Sequence, residues 1–237
     1  MKIGAPERLV RAAQEELIHS HGLLEMQAVA KRAKVSVGLA YHHFGSKAGL
    51  IAAVVEGFYN RLEDVAFSPS KLVASDWAGR EKERIAAYIS FHYDHPFAPL
   101  VVGPLSRAPE VLDVEQAFTR RQLTAGAYNL RAGQRDGVIP SYLDPRLTIA
   151  LMIGGIRQAL IGALTSSHRP DRAELTDKIW IFVAGALRLP ASLARAESPA
   201  TGSPHDKTPE LKSEGNTTPW PIHTSFTYRS RATRKTT

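Results

Sequence analysis

The sequence predicts an all-α fold in three parts along its 237 residues. Apolar residues recur at three- and four-residue steps, the spacing that places side chains on one face of a helix. No stretch before residue 190 shows the alternating pattern of a strand. Beyond 190, Ser, Thr, Pro and Gly dominate, and such a composition buries too little apolar surface to offset chain entropy. We expect a three-helix helix-turn-helix domain over 1–67, a helical bundle over 68–189 and a disordered tail over 190–237.

The first part contains several short helices joined by tight turns. Pro6 suits a first helical position, and Gly22 suits the residue just past the end of that helix. A second helix is predicted over 26–33. Ser36 is a good N-cap for a third helix over 37–44. Ser46 can cap a fourth helix over 47–66 in the same way, so the segment leaves no room for a strand.

The second part contains longer helices separated by proline and aspartate. We predict helices over 78–95, 110–136, 145–166 and 171–189, with one short helix inside the proline-broken segment between the first two. Asp144 and Asp171 are the expected N-caps of the last two helices. The apolar run 148–164 is interrupted by Arg157 and is shorter than a membrane span requires. The charged N-terminus does not resemble a signal peptide, and we expect a cytoplasmic protein.

Composition and motifs exclude several classes of function. The chain has no cysteine, so disulfides, cysteine-ligated metals and a cysteine nucleophile are excluded. It has no GxSxG elbow, no phosphate-binding loop and no dinucleotide fingerprint. We therefore expect no catalytic residues, no cofactor and no metal. The formal net charge of +7 favours a polyanionic partner.

The stretch VSVGLAYHHFGSK, residues 35–47, carries two adjacent histidines. They could bind a metal, transfer protons or contact another molecule. Neighbouring residues on a helix diverge by about 100°, so His42 and His43 cannot easily share one ion. The segment 26–55 contains four bases and no acid, which attracts phosphate. The pair at 92 and 95 could also ligate a metal, although histidine is common at a helix end.

The stretch AVAKRAKVSVGLAYHHFGSKAGLIAAVVEGF, residues 28–58, resembles the helix-turn-helix domain of the tetracycline-repressor (TetR) family of bacterial transcription regulators. The matches to the family pattern are Val29, Ala30, Ala33, Val35, Ser36, Gly38, Tyr41, His43, Phe44 and Lys47. The close resemblance covers residues 5–67. Beyond them it extends only to the lengths of the helices.

The resemblance implies a role for each matched position. Ser36, Tyr41, His43 and Lys47 would contact DNA phosphates, and Phe44 would be a core residue. The major groove would be faced by Val37, Gly38, Leu39 and His42. Tyr41 could alternatively pack against the fourth helix.

The chain departs from the family pattern in the turn and before the second helix. Lys34 replaces a glycine, so a left-handed backbone there would cost about 1 kcal/mol, which a phosphate contact could offset. Leu24 stands where the family has a threonine that caps the second helix and touches phosphate. The loss of that cap is worth about 1 kcal/mol.

The same resemblance implies a second domain that binds a small-molecule effector and forms a homodimer. The apolar segments 148–164 and 174–189 contain glycines and could pack closely on a twofold mate, or could be central core helices. Candidates for the effector pocket are Tyr88, Phe91, Phe118, Gln122, Tyr128 and Met152, each of which could equally be ordinary core.

The function that we expect is a dimeric, ligand-responsive regulator that binds a double-stranded DNA operator. We expect it to act as a repressor that an unknown small-molecule effector releases from a palindromic operator. The alternatives are a helical protein-interaction module or an enzyme-like small-molecule binder without DNA activity.

Overall fold

The computed structural model describes residues 4–68 and 72–194. The regular secondary structure of these residues is helical, and none of them forms a strand. The helices are α1 Ala5–His19, α2 Met26–Ala33, α3 Val37–Phe44, α4 Lys47–Leu62, α5 Trp77–Asp94, α6 Ala98–Val102, α7 Pro109–Arg135, α8 Pro145–Thr165, α9 Arg172–Ala186 and α10 Ala191–Ala194. A π-helical turn, Glu63–Phe67, follows α4, and a 3₁₀ turn, Pro104–Arg107, precedes α7. The all-α prediction is therefore confirmed.

The helix bounds follow local signals in the sequence. Ser46, Asp76, Asp144 and Asp171 each accept a hydrogen bond from a backbone N–H in the first turn of the following helix. Such bonds satisfy amide donors that have no partner within the helix. Most predicted bounds therefore lie within one or two residues of the observed ones. The proline-broken segment contains the 3₁₀ turn in addition to the single short helix that we expected.

The end of α4 differs from the prediction of one regular helix to residue 66. Regular α-helix ends at Leu62, and the chain widens into the π-helical turn. In this turn Ala66 lies in the core, while Arg121 Nε donates to Glu63 Oε1 at 2.9 Å. The periodicity of apolar residues does not distinguish the two helix types, so the sequence did not reveal the wider turn.

Two apolar cores lie inside the described residues. The first is built mainly by α1, α2 and α4, with residues of α6 added. The second is built by α5, α7, α8 and α9. Residues of α5 also pack against the first core, so this helix belongs to both. The boundary between 67 and 68 stays a prediction.

The predicted tail begins later than expected. Helix α10, Ala191–Ala194, lies within the segment that we expected to be disordered from residue 190. Trp180 Nε1 donates a hydrogen bond to the carbonyl oxygen of Leu193 at 2.9 Å, which ties α10 to α9. The expectation for 190–194 is therefore wrong, because a buried indole supplies a partner that composition does not reveal. Residues 195–237 lie outside the described residues.

Helix α8 is the longest apolar segment. Among the described residues it is the one helix whose length and composition could cross a membrane, a test that core helices also pass. The helix has 21 residues and ends one residue before the 145–166 that we predicted. Arg157, which interrupts the run, forms an ion pair with Glu115 of α7. The charge within α8 therefore has a partner inside the protein.

Candidate nucleic-acid interface

The start of α3 is defined by a hydrogen-bonded cap. Ser36 has an extended backbone, with φ −77° and ψ 151°, and its side chain accepts a hydrogen bond from Leu39 N–H at 3.2 Å. Serine is preferred at this position because its oxygen satisfies an amide that the helix leaves unpaired. The N-terminal end of α3 remains exposed at Ser36 and Gly38. Its positive dipole end is therefore open to an anion.

The turn before α3 is strained at Lys34. This residue has φ 56° and ψ 49°, the left-handed conformation predicted from its alignment with a glycine. Its N–H donates to the carbonyl oxygen of Lys31 at 3.2 Å, and Val35 N–H donates to that of Ala30 at 3.0 Å. These bonds close α2 and fix the angle at which α3 departs. The Lys34 side chain is exposed beside the start of α3.

The remaining predicted contact residues divide α3 into an inner and an outer face. Ala40 is buried, and Val37 and Phe44 pack against the first core, as expected for Phe44. The outer face carries Tyr41, which is 45% exposed, together with His42 and His43. Leu39 is half-buried at its edge. Phenol and imidazole groups on this face can donate hydrogen bonds to phosphates or base edges.

The two adjacent histidines diverge as their spacing predicted. Their ring centroids lie 5.5 Å apart in an edge-on arrangement, with 63° between the ring planes. Among the residues that the structure describes, no group of three or more His, Asp or Glu side chains could hold a metal ion. Both side chains are exposed on the outer face of α3.

A second capped helix start lies next to α3. Ser46 accepts a hydrogen bond from Gly49 N–H at 2.9 Å, and Lys47 is exposed in the first turn of α4. A Cβ atom at Gly49 would collide with the carbonyl oxygen of Phe44. Glycine therefore allows α4 to start close against the end of α3. The tight turn holds Lys47 beside the outer face of α3.

The charge on this surface is set partly by α1. Arg32 is exposed and paired, since Arg32 Nη2 lies 3.0 Å from Glu16 Oε2 and Arg32 Nη1 lies 3.6 Å from Glu15 Oε2. Acids from a packed neighbour thus compensate one of the four bases in 26–55. Lys31, Lys34 and Lys47 stay exposed. Counting charge along one segment missed this pairing because it depends on the packing of α1 against α2.

A basic cleft adjoins the turn and was not predicted from the sequence. Its volume is about 630 Å³, and its lining includes Arg8, Arg11, Arg32, Lys34 and Arg61. Arg8 Nε donates to the carbonyl oxygen of Ala33 at 3.2 Å, which connects α1 to the end of α2. The lining also includes the acids Glu7 and Glu15, and Glu15 pairs with Arg11 and Arg32. Only the packing of α1 against α2 brings these bases together.

The start of α2 has no side-chain cap. The N-cap residue is Glu25, one position after the site that we assigned, and its carboxylate makes no capping bond. Leu24 is buried in the first core. Leucine at 24 therefore contributes to packing and does not supply the phosphate contact of the threonine that it replaces.

The residues predicted for the effector pocket do not share one cavity wall. Phe91 and Phe118 pack against the first core, Tyr88 packs against both cores, and Met152 is buried in the second. Gln122 Nε2 donates to Glu63 Oε1 at 3.3 Å. Phe91 lines an open cleft of about 290 Å³ beside Val65 and His95.

Tyr128 lies elsewhere. It is 67% exposed on the outer face of α7, so its assignment to an internal wall of this chain is wrong. Its neighbour Ala127 and Leu130 occupy the buried face instead. The rotation of α7 about its axis decides which face is buried, and an aromatic residue on a mixed helix does not reveal that rotation.

Taken together, the fold and this surface define a helix-turn-helix protein with an attached helical domain. Residues 10–54 match the sequence profile of the family described as bacterial regulatory proteins, tetR family. Over 151 residues the chain is 38% identical to the HTH-type transcriptional regulator BetI of Rhizobium meliloti (strain 1021). This alignment covers 58% of this chain and 69% of BetI. The chain belongs to the tetR family and is a transcriptional regulator of that family.

Solved structures show the same fold at low sequence identity. The fatty acid degradation regulator FadR of Bacillus halodurans has a TM-score of 0.66 at 19% identity, covering 80% of this chain and 100% of that one. FadR of Bacillus subtilis, solved in complex with stearoyl-CoA, has a TM-score of 0.58 at 22% identity, covering 76% of this chain and 96% of that one. At these identities the likeness establishes the fold alone.

Proposed function

We propose that the protein is a repressor that binds operator DNA through α3. The observation that carries the proposal is the outer face of α3, which is exposed, capped at Ser36 and flanked by Lys34 and Lys47 without an acid in the segment. A short helix with such a start can insert its N-terminal residues into the major groove. The protein would act in the cytoplasm, where the operator is accessible.

Each exposed side chain has a separate role in this proposal. Lys34, Ser36, Tyr41, His43 and Lys47 contact phosphates and fix the register of α3 on the duplex. The base edges are contacted by Val37, Gly38, Leu39 and His42. Leu39 would supply an apolar contact of the kind that recognises a thymine methyl group. Phosphate contacts supply affinity and base contacts supply sequence preference.

DNA binding is best tested by fluorescence anisotropy with the DNA upstream of the gene, over a range of salt concentrations. Lys47→Ala should weaken binding to all sequences alike and lower the salt slope by about 1, since one phosphate contact is lost. His42→Ala should reduce discrimination between operator and scrambled DNA by about 1–3 kcal/mol. Arg135→Ala, an exposed base at the far end of α7, is the control. Binding that is insensitive to salt would refute the proposal.

We propose that α8 and α9 form the interface of a homodimer. Only 17% of the apolar window in α8 is buried within the chain, and Leu147, Leu151, Ile181 and Phe182 are exposed. A Cβ atom at Gly155 would lie 3.3 Å from Phe182 Cε1, so this glycine lets α8 and α9 pack closely. An apolar face of this size favours a protein partner, and a twofold mate would align two α3 helices with paired half-sites.

The dimer proposal is tested by light scattering after size exclusion. Leu151→Glu should produce a monomer and weaken operator binding, because a charge buried in an apolar interface is costly. Val73→Glu replaces an exposed apolar residue away from α8 and α9 and should leave the dimer intact. A dimer that survives Leu151→Glu together with Phe182→Glu would place the interface elsewhere.

We also propose that a small-molecule effector shifts the position of α4. Tyr59 of α4 stacks on Phe118 of α7 at 4.2 Å, and Glu63 after α4 accepts a hydrogen bond from Arg121 of α7 at 2.9 Å. A ligand that moves α7 would therefore move α4, at whose start Lys47 lies. FadR of Bacillus subtilis was solved with stearoyl-CoA, which supports ligand binding by this fold. Effector binding would then favour a form whose α3 helices no longer match the half-sites.

A further inference from the structure

A polar cluster lies between α4, α5, α7 and α8. Arg157 of α8 forms an ion pair with Glu115 of α7. Tyr59 of α4 is buried near the pair, and Tyr88 of α5 is half-buried near it. His92 of α5 is buried, and its Nδ1 donates to the carbonyl oxygen of Tyr88 at 2.8 Å. The two charges thus lie within aromatic surroundings.

The two charges keep their ionised forms in this environment. Burial lowers the pKa of Arg157, but the hydrogen bond and charge of Glu115 outweigh burial and raise it. Burial raises the pKa of Tyr88 to about 12, so its phenol is a neutral hydrogen-bond donor. Burial also raises the pKa of Tyr59. Arginine and two phenols form a donor set that suits an anionic oxygen.

Stability alone does not explain this ion pair. The cost of removing two charges from water offsets most of their attraction, and an apolar pair of similar volume would stabilise the fold equally well. The side chain of Arg157 is 34% exposed and that of Glu115 is 12% exposed. A molecule that enters from solvent therefore reaches the cation of the pair first.

The ring arrangement favours an anion over a cation. Cations bind the faces of aromatic rings, whereas ring edges carry partial positive charge. Tyr59 and Phe118 cover each other face to face at 4.2 Å, and Tyr88 lies against His92 at 4.4 Å. The positive charge of Arg157 also repels a second cation.

We propose that Arg157 binds the carboxylate of an anionic effector with an apolar body, and that Glu115 takes the place of that carboxylate in the ligand-free protein. This inference rests on the proposed effector response and names its ligand class. Phenol groups of Tyr59 and Tyr88 donate to the carboxylate, and the apolar body packs on the surrounding rings. Glu115 acts as an internal competitor for the ligand.

The displacement of Glu115 explains how the ligand would act on DNA binding. A carboxylate left unpaired in the interior is costly, so Glu115 has to turn toward solvent, and α7 shifts with it. Phe118 lies three residues later on the same face of α7 and stacks on Tyr59 of α4. The shift of α7 is therefore transmitted to the helix that begins at Lys47.

The test is direct binding to the full-length protein without DNA, by calorimetry and thermal shift. Sodium benzoate and sodium decanoate are the carboxylate probes; benzamide and decanol are neutral controls of matched shape, and tetramethylammonium is the cationic control. We expect a carboxylate to bind and raise the melting temperature, while the neutral and cationic compounds do not. The absence of carboxylate binding at about 5 mM would overturn the proposal.

Two variants test the roles of Arg157 and Glu115 separately. Arg157→Gln should weaken carboxylate binding at least about tenfold, because a charge-assisted hydrogen bond is lost. Glu115→Gln should tighten it, since the competitor is removed while its shape is kept. Arg172→Gln, which breaks an exposed ion pair with Asp94, is the control and should bind normally. Unchanged binding in Arg157→Gln, weaker binding in Glu115→Gln, or tetramethylammonium binding that requires Glu115 would each refute the assignment.

The outcome of the carboxylate-binding test does not depend on whether the protein binds DNA. If operator binding fails while the carboxylate binds in an Arg157-dependent manner, the regulator proposal falls and the ligand site stands. If the operator binds and the carboxylates do not, the ligand class is wrong and the regulator proposal stands.

Discussion

Lys34→Gly separates the stability of the fold from the strength of DNA binding. Lys34 has φ 56° in the turn between α2 and α3. A left-handed backbone costs a non-glycine residue about 1–2 kcal/mol. Glycine removes this strain but gives the unfolded chain more conformational freedom, which costs about 0.4–1 kcal/mol. The net expectation is a gain of about 0.5–1 kcal/mol in the free energy of unfolding.

The same substitution should weaken DNA binding, because the exposed lysine beside α3 is lost. We expect the salt slope of operator binding to fall by about 1, the value for one phosphate contact. Urea unfolding measures the first effect, and anisotropy at several salt concentrations measures the second. Stabilisation combined with weaker binding would show that the chain accepts strain at Lys34 for contact with DNA.

His21→Gly is the matched control. His21 has φ 54° in the loop after α1, so glycine relieves comparable strain there. This variant should be stabilised by a similar amount and should bind the operator normally. If Lys34→Gly leaves the salt slope unchanged, or if His21→Gly weakens binding as much, the phosphate contact assigned to Lys34 is wrong.

Substitutions at three further positions test the packing, one cap and the pH dependence of stability. Gly49→Ala should destabilise the protein by about 1–3 kcal/mol in urea unfolding, because its Cβ would collide with the carbonyl oxygen of Phe44; wild-type stability would contradict the tight turn. Ser36→Ala should cost about 1 kcal/mol and weaken operator binding, whereas Ser36→Thr keeps the capping oxygen and should lose less. Burial lowers the pKa of His92 to about 4, below its unfolded value of about 6.5, so the unfolded chain takes up the proton first as pH falls. About 2 kcal/mol of stability should therefore be lost between about pH 7 and pH 5, and His92→Gln should lack that part of the pH dependence.

Local signals made most of the helices predictable. A cap such as Ser36 or Asp144 bonds to an amide two or three residues away, so the two groups are neighbours in the chain. The left-handed turn at Lys34 was expected from the resemblance, because the family has a glycine at this position, and the bonds that close the turn lie within five residues. The π-helical turn after Leu62 was missed because apolar spacing does not distinguish a four-residue from a five-residue hydrogen bond.

The exposed contact surface was predictable as a set of residues, because α3 is short and its buried face is occupied by Ala40 and Phe44. Its charge was not. Arg32 is paired with Glu16, which is distant in the chain and close only because α1 packs on α2. The prediction of the effector pocket was wrong at Tyr128 for a similar reason. The rotation of α7 about its axis leaves Tyr128 exposed and turns Glu115 toward the interior.

The sequence by itself therefore determined where most of the helices begin and end, and which short helix presents an exposed face beside Lys34 and Lys47. These properties depend on atoms within one or two helical turns, where the chain geometry is known in advance. Only the tertiary structure decided that Arg157 meets Glu115, that Tyr59 stacks on Phe118 and that Trp180 holds Leu193. Each of these contacts joins two separate segments, and their meeting depends on how the helices pack and rotate against one another.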